Sequence, residues 1–399
     1  MSVDTATQPA HRPAPTIPFD ANRLDELMEQ AGIDILLASS KHNIQYLLGG
    51  YRFFFFDLMD AIGISRYLPI VVYERGRPDR AAYIANPMES YERDLGKFWV
   101  PNLKNAAWTT RQSIELALDH IRSLGRPVNR IAAEVSFLPG DAMLLLQSGL
   151  PGVEITDAVF PLERLRARKT PDELDLLRTA SERVIDAMLT VFKSHGPGTT
   201  KLELVNAMRR EEAARDLTFE YCLITTGRSH NRAPSEERWE EGEILSLDSG
   251  GNYRGYIGDL CRMGILGEPD PELVDILGDI EEIQQTARRP IRAGALGREI
   301  YEAAQPLVSR SAHRGYMSFV AHGMGLITHE APRLTSSGPV PYPGEDAERP
   351  LEDGMVISVE TTILHPRRGF IKLEDTFAVT ESGWDAFGDR GRGWNRGRT

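Results

Sequence analysis

The chain has very little cysteine. Its 399 residues contain only Cys222 and Cys261, and two thiols cannot build a disulfide framework. We expect both to be buried and free in a reducing compartment, although a single bridge between them stays open. The N-terminus has no apolar segment of signal-peptide type. The most apolar early stretch, residues 53–64, is interrupted by Asp57 and Asp60 and is too short to span a bilayer. The sequence therefore predicts a cytoplasmic protein that does not enter the membrane.

An excess of positive charge is missing as well. Lysine and arginine number 46 against 58 aspartates and glutamates, for a net charge of −12. Nucleic acids and anionic membranes bind clustered basic residues, so neither is expected as a partner. Hydrophobic residues make up 41% of the chain and charged residues 26%, as in soluble globular proteins. At 399 residues the chain is too long for one ordinary domain, and two domains are expected.

The first part of the chain has the pattern of an α/β domain. Residues 1–20 are rich in Pro, Thr and Ala without periodicity, which predicts a flexible tail. Residues 21–165 alternate short apolar runs with helical patterns, which predicts an α/β domain. The run Tyr46–Gly50 is interpreted as the end of a strand. The other expected elements are helices at 24–31, 112–123 and 141–146, and strands at 33–38, 68–73, 81–85 and 130–135.

A clear helix start marks the beginning of the second domain, which we place at residues 166–399. Thr170 is a favourable N-cap, Pro171 fits the first helical position, and acidic residues follow in the first turn. The Gly- and Arg-rich end, residues 388–399, is expected to be loose unless Trp394 docks it onto the fold. The further expected elements are helices at 201–215, 271–288 and 297–309, and strands at 219–225, 244–248, 355–361 and 370–378.

Four acidic residues stand in apolar strands, where an unpartnered charge is costly. Asp248 and Asp259 flank a Gly- and Asn-rich turn, which is a hairpin signal, so their carboxylates can face each other. Glu360 ends an apolar run that begins after Asp353, and Glu374 lies inside the next run. Facing carboxylates repel unless a cation lies between them, and acids are rarely buried without a partner. Solvated hairpin aspartates and structural salt bridges are the alternatives for these residues taken singly.

Two histidines lie close together in a glycine-rich segment. His322 and His329 are seven residues apart within residues 321–332, although a single histidine is more often an ordinary core or surface residue. One imidazole with four carboxylates makes a ligand set that suits Mn²⁺, Co²⁺, Fe²⁺ or Zn²⁺, and two divalent ions would neutralise the four negative charges. Two such ions can hold a bridging water and polarise a carbonyl, which is the apparatus for hydrolysing a C–N bond.

The order and spacing of these residues resemble a known family. The pattern is an Asp, a second Asp eleven residues later, a His with another His seven later, a Glu, and a Glu in a Leu-Glu-Asp strand. It resembles that of the pita-bread metallopeptidases, which include methionine aminopeptidase, aminopeptidase P, prolidase and the metal-free creatinases. Residues 23–50 resemble the creatinase and prolidase N-terminal domain, and Leu165–Glu173 resembles its linker into the catalytic half. The resemblance implies an α/β creatinase-like N-terminal domain followed by an α+β pita-bread catalytic domain.

The resemblance also implies a role for each residue of the pattern. Asp259 and Glu374 would bridge two divalent metal ions. Glu360 would bind metal and accept the proton of the bridging water, and His329 would stabilise the tetrahedral intermediate. The complete set of implied metal ligands is Asp248, Asp259, His322, Glu360 and Glu374.

Two further features follow from the same resemblance. His230 lies eighteen residues before Asp248 and would contact the substrate, unless it is an ordinary loop histidine. Creatinase-like relatives form dimers, so a homodimer is implied. In it the aromatic run Tyr51–Phe56 would reach towards the partner's active site, with ordinary core packing as the alternative.

Departures from the family pattern bear on the substrate. Family peptidases place Pro-Gly after the ligand Glu, where this chain has Thr361 and Thr362, and they place Arg where it has Lys372. Lysine cannot reproduce the planar fork of arginine, and the strand after the ligand Glu shapes the substrate pocket. Weak activity on Xaa-Pro dipeptides is therefore expected, unless Arg367 and Arg368 bind the substrate carboxylate.

The sequence leaves the substrate and the metal open. The leading interpretation is a metal-dependent hydrolase of a C–N bond in a dipeptide or a small modified amino acid, similar to an Xaa-Pro dipeptidase or to an ectoine hydrolase, with manganese among the expected metals. A metal-dependent lyase acting on a small zwitterionic substrate is one alternative. A non-catalytic binding member of the fold is the other, and the intact ligand pattern argues against it.

Overall fold

The chain folds into two compact units, Met1–Leu165 and Arg166–Thr399. A computed structural model describes residues 16–58, 63–336 and 344–398, so most of the expected tail lies outside the described residues. The described part of that tail includes Phe19, which packs edge-on against Tyr73 and Trp99.

The first unit is a mixed six-stranded sheet with helices on both faces. Strand β1 (Ile35–Ala38) runs antiparallel to β2 (Ile70–Glu74) and parallel to β5 (Arg130–Ala133). Alternate residues of β1 point to opposite faces, so Leu36 enters one apolar core and Leu37 the other. The sheet order is β4-β3-β2-β1-β5-β6, with β3 Ala82–Ile84, β4 Asn102–Lys104 and β6 Glu154–Asp157. The helices are α1 Ala21–Gln30, α2 Lys41–Leu47, α3 Ser90–Asp94, α4 Thr110–Ser123, α5 Gly140–Gly149 and α6 Val159–Ala167.

One prediction for this unit is wrong. The run Tyr46–Gly50 does not end a strand, because it forms the end of helix α2 and the turn after it. Ser40 caps this helix by accepting a hydrogen bond from the backbone N–H of Asn43. Gly49 and Gly50 follow with φ angles of 71° and 91°, a left-handed conformation that commonly ends helices.

The aromatic run Tyr51–Phe56 packs mainly within the first unit. Phe53 and Phe56 are buried, and both rings contact Tyr67. Phe54 is 57% exposed on a short 3₁₀ turn. Core packing therefore accounts for most of the run, and its placement beside a partner's active site stays a prediction.

The second unit is built on one large sheet. Its strand order is β12-β13-β14-β11-β10-β8, with β15 on β14, β16 on β11, and a separate pair β7-β9. The strands are β7 Thr199–Thr200, β8 Thr218–Thr226, β9 Arg238–Trp239, β10 Ile244–Tyr253, β11 Tyr256–Ile265, β12 Met317–Gly323, β13 Val356–His365, β14 Gly369–Val379, β15 Trp384–Phe387 and β16 Asn395–Arg396. The helices are α7 Pro171–Ser194, α8 Lys201–Ala213, α9 Pro271–Ala287 and α10 Glu299–Arg310.

Helix α7 starts where the sequence predicts and packs closely on the sheet. The Thr170 side chain accepts from the backbone of Glu173, and the Glu173 carboxylate accepts from the backbone of Thr170, which is a capping box. A Cβ at Gly258 would lie 2.7 Å from backbone atoms of Ala180 and Ser181. Glycine is therefore required where this helix crosses β11.

The end of the chain is docked, as the alternative for Trp394 predicts. The Trp394 indole donates to the carbonyl of Leu273, and β16 pairs in parallel with β11. Cys222 and Cys261 are both buried and free, as expected. Within the described ranges, no helix is long and apolar enough to cross a bilayer.

Helix α8 carries a buried acid that costs stability when it ionises. Glu212 Oε1 accepts from the Ser249 hydroxyl at 2.8 Å, and its Oε2 is buried without a hydrogen-bond partner among the described residues. Burial raises the pKa of Glu212 to about 8, and the charge of Glu220 adds to this. The folded protein therefore holds a proton here over a pH range in which the unfolded chain has lost it.

We predict that Glu212→Gln stabilises the protein increasingly as the pH rises. The unfolded side chain titrates near about 4.3, so the wild type loses stability between that pH and about 8, where the penalty levels off. The difference in free energy of unfolding should grow by at most about 5 kcal/mol over this window. Urea unfolding at pH 5, 7 and 9 measures it. Glu182→Gln, on an exposed position of α7, is the matched control. A difference that does not change with pH contradicts the prediction.

Candidate metal centre

The hairpin β10–β11 places its two aspartates on one face of the sheet. Asp248 lies opposite Cys261, and Asp259 lies opposite Gly250. Because Asp259 and Cys261 are two residues apart, they share a face, and that face also carries Asp248. The alternate residues Leu245 and Leu247 point to the other side, into the core beneath α7 and α8. The predicted hairpin therefore places the two buried carboxylates diagonally across the strand pair.

Neighbouring strands bring the other expected ligands to the same face. Glu374 on β14 lies opposite both Cys261 on β11 and Glu360 on β13. His322 on β12 lies opposite Ser358, two residues before Glu360. Register alone therefore collects all five predicted ligand residues on one surface of five adjacent strands.

Three of these residues have donor atoms close enough to hold one ion. One ligand atom from each of Asp259, His322 and Glu374 lies within 4.8 Å of the other two, and all three residues are buried. His322 Nε2 has no hydrogen-bond partner among the described residues, and its nearest recorded carboxylate oxygen is Glu374 Oε1, at 3.6 Å. The Ser358 hydroxyl donates to Glu374 Oε1 at 2.8 Å and orients it. This trio, called the three-ligand cluster below, fits a divalent cation.

Lys372 occupies the other side of the same face. Its Nζ lies 2.8 Å from Asp248 Oδ2, 2.5 Å from Glu360 Oε2 and 2.8 Å from Glu374 Oε2. The Lys372 side chain is only 7% exposed. The two expected ligands outside the three-ligand cluster, Asp248 and Glu360, are thus both paired with this ammonium.

The loop before β10 contributes an arginine that pairs with Asp248. Arg232 forms a short ion pair with Asp248 Oδ2, and its guanidinium stacks over the Phe370 ring. His230, two residues earlier, lies instead with Nε2 3.3 Å from the carbonyl oxygen of His365. Its role as a substrate contact stays a prediction.

A further contact orients Asp259. The Tyr221 hydroxyl hydrogen-bonds to this carboxylate, and the Tyr221 ring occupies the space beside Gly250, where a Cβ would come within 2.4 Å of it. Gly250, opposite Asp259, therefore leaves room for the Tyr221 ring, whose hydroxyl orients Asp259.

His329 is held against His322 by a buried ion network. The two imidazoles stack with centroids 3.8 Å apart and planes inclined by 13°. Glu330, the next residue, pairs at 3.0 Å with Arg166 and at 3.1 Å with Lys169, all nearly inaccessible to solvent. Breaking a buried pair of this kind typically costs about 3–5 kcal/mol. The charged linker therefore fixes the backbone that carries His329.

The carboxylates of the three-ligand cluster lie in a strongly negative environment. Burial raises the pKa of Asp259 well above its usual range, and the charges of Glu374 and Asp248 add to the effect. Burial also acts to raise the pKa of Glu374, but the charges of Lys372 and His322 outweigh it and hold that pKa below its usual range. Asp259 is thus the carboxylate that most needs an added cation to be ionised.

The pKa values of two basic groups at this face are shifted in opposite directions. Burial acts to lower the pKa of Lys372, but Asp248, Glu374 and Glu360 outweigh it and raise this pKa well above its usual value. Lys372 is therefore an ammonium at neutral pH. For His329, burial and then the charge of His322 lower the pKa to about 4, so its imidazole is neutral.

The departures from the family pattern have clear positions. The Thr361 hydroxyl is buried and hydrogen-bonds to Gln284 on α9 at 3.2 Å, so it faces away from the ligand side. Arg367 and Arg368 both pair with Glu272, at 3.0 and 3.2 Å. A substrate carboxylate would have to compete with that acid for either arginine.

Comparison with known protein families assigns both parts of the chain. Residues 175–381 match the profile of "Metallopeptidase family M24", and residues 21–168 match that of the "Creatinase/Prolidase N-terminal domain". The chain belongs to metallopeptidase family M24. Its fold is accordingly the creatinase N-terminal domain followed by the pita-bread catalytic domain, as the resemblance implies.

Three of the proteins similar to this M24 chain match nearly all of it. It is 23% identical over 367 residues to an "Uncharacterized peptidase YqhT" of Bacillus subtilis, covering 90% of this chain and 95% of the relative. It is 24% identical over 374 residues to an "Xaa-Pro dipeptidase" of Pyrococcus horikoshii, covering 90% and 94%. The solved "Xaa-Pro dipeptidase from Bacillus anthracis" superposes with a TM-score of 0.79 at 22% identity, covering 94% and 98%.

We predict that His322→Ala weakens divalent-ion binding by this M24 protein more than about 100-fold. The loss of a group that merely supports a ligand costs about 10–100-fold in affinity, and His322 Nε2 is itself a donor atom of the three-ligand cluster. Calorimetric titration of metal-free protein with Mn²⁺ and Zn²⁺ measures the change. His195→Ala is the control, since that ring contacts the end of α7. Unchanged affinity in His322→Ala would remove this histidine from the ligand set.

Proposed function

We propose that the chain is a metal-dependent hydrolase of a C–N bond in a dipeptide or a small modified amino acid. The observation that carries the proposal is the three-ligand cluster, buried on one face of the catalytic sheet of an M24 family member. The neutral His329 beside it, at pH 7, supports the same conclusion. The Pyrococcus horikoshii and Bacillus anthracis proteins are both named Xaa-Pro dipeptidases, which is consistent with this bond type.

The residues present fit a divalent cation, and Asp259, His322 and Glu374 would hold it. Bound there, such a cation would supply a low-pKa water and polarise a substrate carbonyl. The chain's own groups set its position, because Ser358 and Tyr221 fix the carboxylates of Glu374 and Asp259. The sequence analysis predicts a second ion and a bridging water in addition to this cation. The contacts of Lys372 bear directly on that prediction.

Two side chains next to the cluster have the properties that hydrolysis needs. Glu360 is partly exposed, at 16%, on the ligand face, so its carboxylate can accept a proton from the attacking water. His329 stacks on His322 and is neutral, so it can donate one hydrogen bond to the oxygen that becomes negative in the tetrahedral intermediate. A preorganised donor of this kind stabilises the transition state more than the substrate.

A lyase acting on a small zwitterionic substrate remains the second candidate. It would use the same cation and the same carboxylate face, with Glu360 removing a proton from carbon instead of from water. The family match favours the hydrolase, because it is to peptidases. The non-catalytic alternative is weaker, since every predicted ligand lies on the same face. Manganese as the metal, the homodimer and the cytoplasmic location stay predictions from the sequence.

We predict that His329→Ala lowers kcat by roughly 10²–10³-fold, as for a lost oxyanion donor, with little change in KM. Glu360→Gln should also lower kcat far more than it raises KM, because it removes the proton acceptor. Steady-state kinetics on the best substrate from a screen of dipeptides and of cyclic and N-modified amino acids measure both. His195→Ala is the control for the histidine change. Full activity in either variant excludes the role assigned to that residue.

We also predict weak activity on Ala-Pro and Gly-Pro relative to another small amide. Lys372 is committed to three carboxylates, and Arg367 and Arg368 are paired with Glu272, so these cations are not free to hold a dipeptide carboxylate. Steady-state kinetics decide the point. A kcat/KM on either dipeptide in the ordinary enzyme range, about 10⁴ M⁻¹s⁻¹ or above, contradicts the prediction.

A further inference from the structure

The ammonium of Lys372 sits where a cation is bound by carboxylates. Its Nζ lies within 2.5–2.8 Å of one oxygen from each of Asp248, Glu360 and Glu374. The ammonium donates a hydrogen bond to Asp248 Oδ2 and lies at ion-pair distance from Glu360 and Glu374. Two of these acids, Asp248 and Glu360, are among the five residues expected to bind metal but lie outside the three-ligand cluster.

The charges on this face balance with one divalent ion. The four acids of the predicted ligand set carry four negative charges when ionised. Lys372 and Arg232 both contact Asp248 and supply two positive charges. One divalent ion in the three-ligand cluster supplies the remaining two positive charges. A second divalent ion would leave two positive charges in excess beside Asp248, Asp259 and Glu374, which are buried, and uncompensated buried charge is costly.

The possible metal-ligand atoms fall into the same two groups, one available to an ion and one paired with basic side chains. Asp259, His322 and Glu374 keep one donor atom each within 4.8 Å of the others, whereas Asp248 Oδ2 is already shared by the Lys372 and Arg232 side chains. Three protein ligands with further positions open to water and substrate are also the usual composition of a catalytic single-metal site.

We propose that the ammonium of Lys372 takes the place of one of the two expected divalent cations, so that the chain binds a single divalent ion at the three-ligand cluster. This inference rests on the proposed function for the presence of the first ion. Lys372 is then an internal cation that pairs Asp248 with Glu360 and shields Glu374. It also links Asp248, from the hairpin, to the strands β13 and β14 without a metal bridge.

The position of Lys372 in the sheet favours this arrangement. Lys372 and Glu374 are two residues apart on β14 and so share a face, and Lys372 lies opposite Thr362 on β13. Its backbone N–H contacts the sulfur of Met263 at 3.4 Å. The side chain can therefore reach the carboxylates from within the same sheet surface, without any change of the backbone.

The test is the number of ions bound per chain. Metal-free wild type, Lys372→Met and the exposed-site control Lys193→Met are loaded with Mn²⁺, desalted, and assayed for metal by mass spectrometry. We expect about one ion per chain in the wild type and in the control, and about two in Lys372→Met. Methionine keeps the length of the side chain but removes the ammonium from Asp248 and Glu360. Among the described residues, Asp248 then keeps only its pair with Arg232, so both acids become available to a second ion.

Electron paramagnetic resonance of Mn²⁺-loaded wild type gives a second measurement that does not depend on the variant folding. An isolated Mn²⁺ signal at saturation is expected, and a spin-coupled pair would overturn the inference. Two ions in the wild type would likewise overturn it while leaving the metal-dependent function intact. One ion in both the wild type and a folded Lys372→Met would exclude the role of Lys372. No binding of Mn²⁺, Co²⁺, Fe²⁺ or Zn²⁺ would remove the proposed function itself.

Discussion

The catalytic unit is organised by the need to neutralise carboxylates buried on one face of its sheet. Sheet register places Asp248, Asp259, Glu360 and Glu374 together, and burial makes each ionised acid expensive. Part of the compensation is built into the chain, through Lys372 on the same face and through Arg232 from the loop before β10. The divalent cation proposed above would supply the rest, so the acids and their basic neighbours form one charge-balanced group.

The same constraint acts on the reverse side of strand β14. Asp375 follows Glu374 and points the other way, where Arg262 pairs with it at 2.9 Å and Arg392 also forms an ion pair with it. Gln284 on α9 donates to its second oxygen at 3.0 Å. Consecutive acids of one strand thus have separate sets of partners, and the arginine from the end of the chain ties that end to the strand that carries Glu374.

A third buried network explains why the linker is basic. Arg166 and Lys169, which look in sequence like an ordinary charged connector, close on Glu330 beside His329. Residues 330–332 also pair with Gly323, next to His322, through backbone hydrogen bonds of 2.9 Å. Because the backbone on both sides of the imidazole pair is held in this way, the stacking of His329 on His322 is a property of the fold and does not depend on a bound substrate.

The residue pattern was sufficient to identify the family, the strands and helices with strong periodicity, and the residues that share the ligand face. The reason is that period-two alternation is visible within each strand, and the Asp–Asp, His–His and Glu–Glu spacings can be counted along the chain. Tyr46–Gly50 was misjudged because an N-cap at Ser40 outweighed an apolar run. The folded chain was needed to find that Arg232 reaches Asp248, that His230 lies beside His365, and that Lys372 lies among three carboxylates. Those contacts join segments more than a hundred residues apart or depend on loop paths, and no local pattern encodes which cation meets which acid.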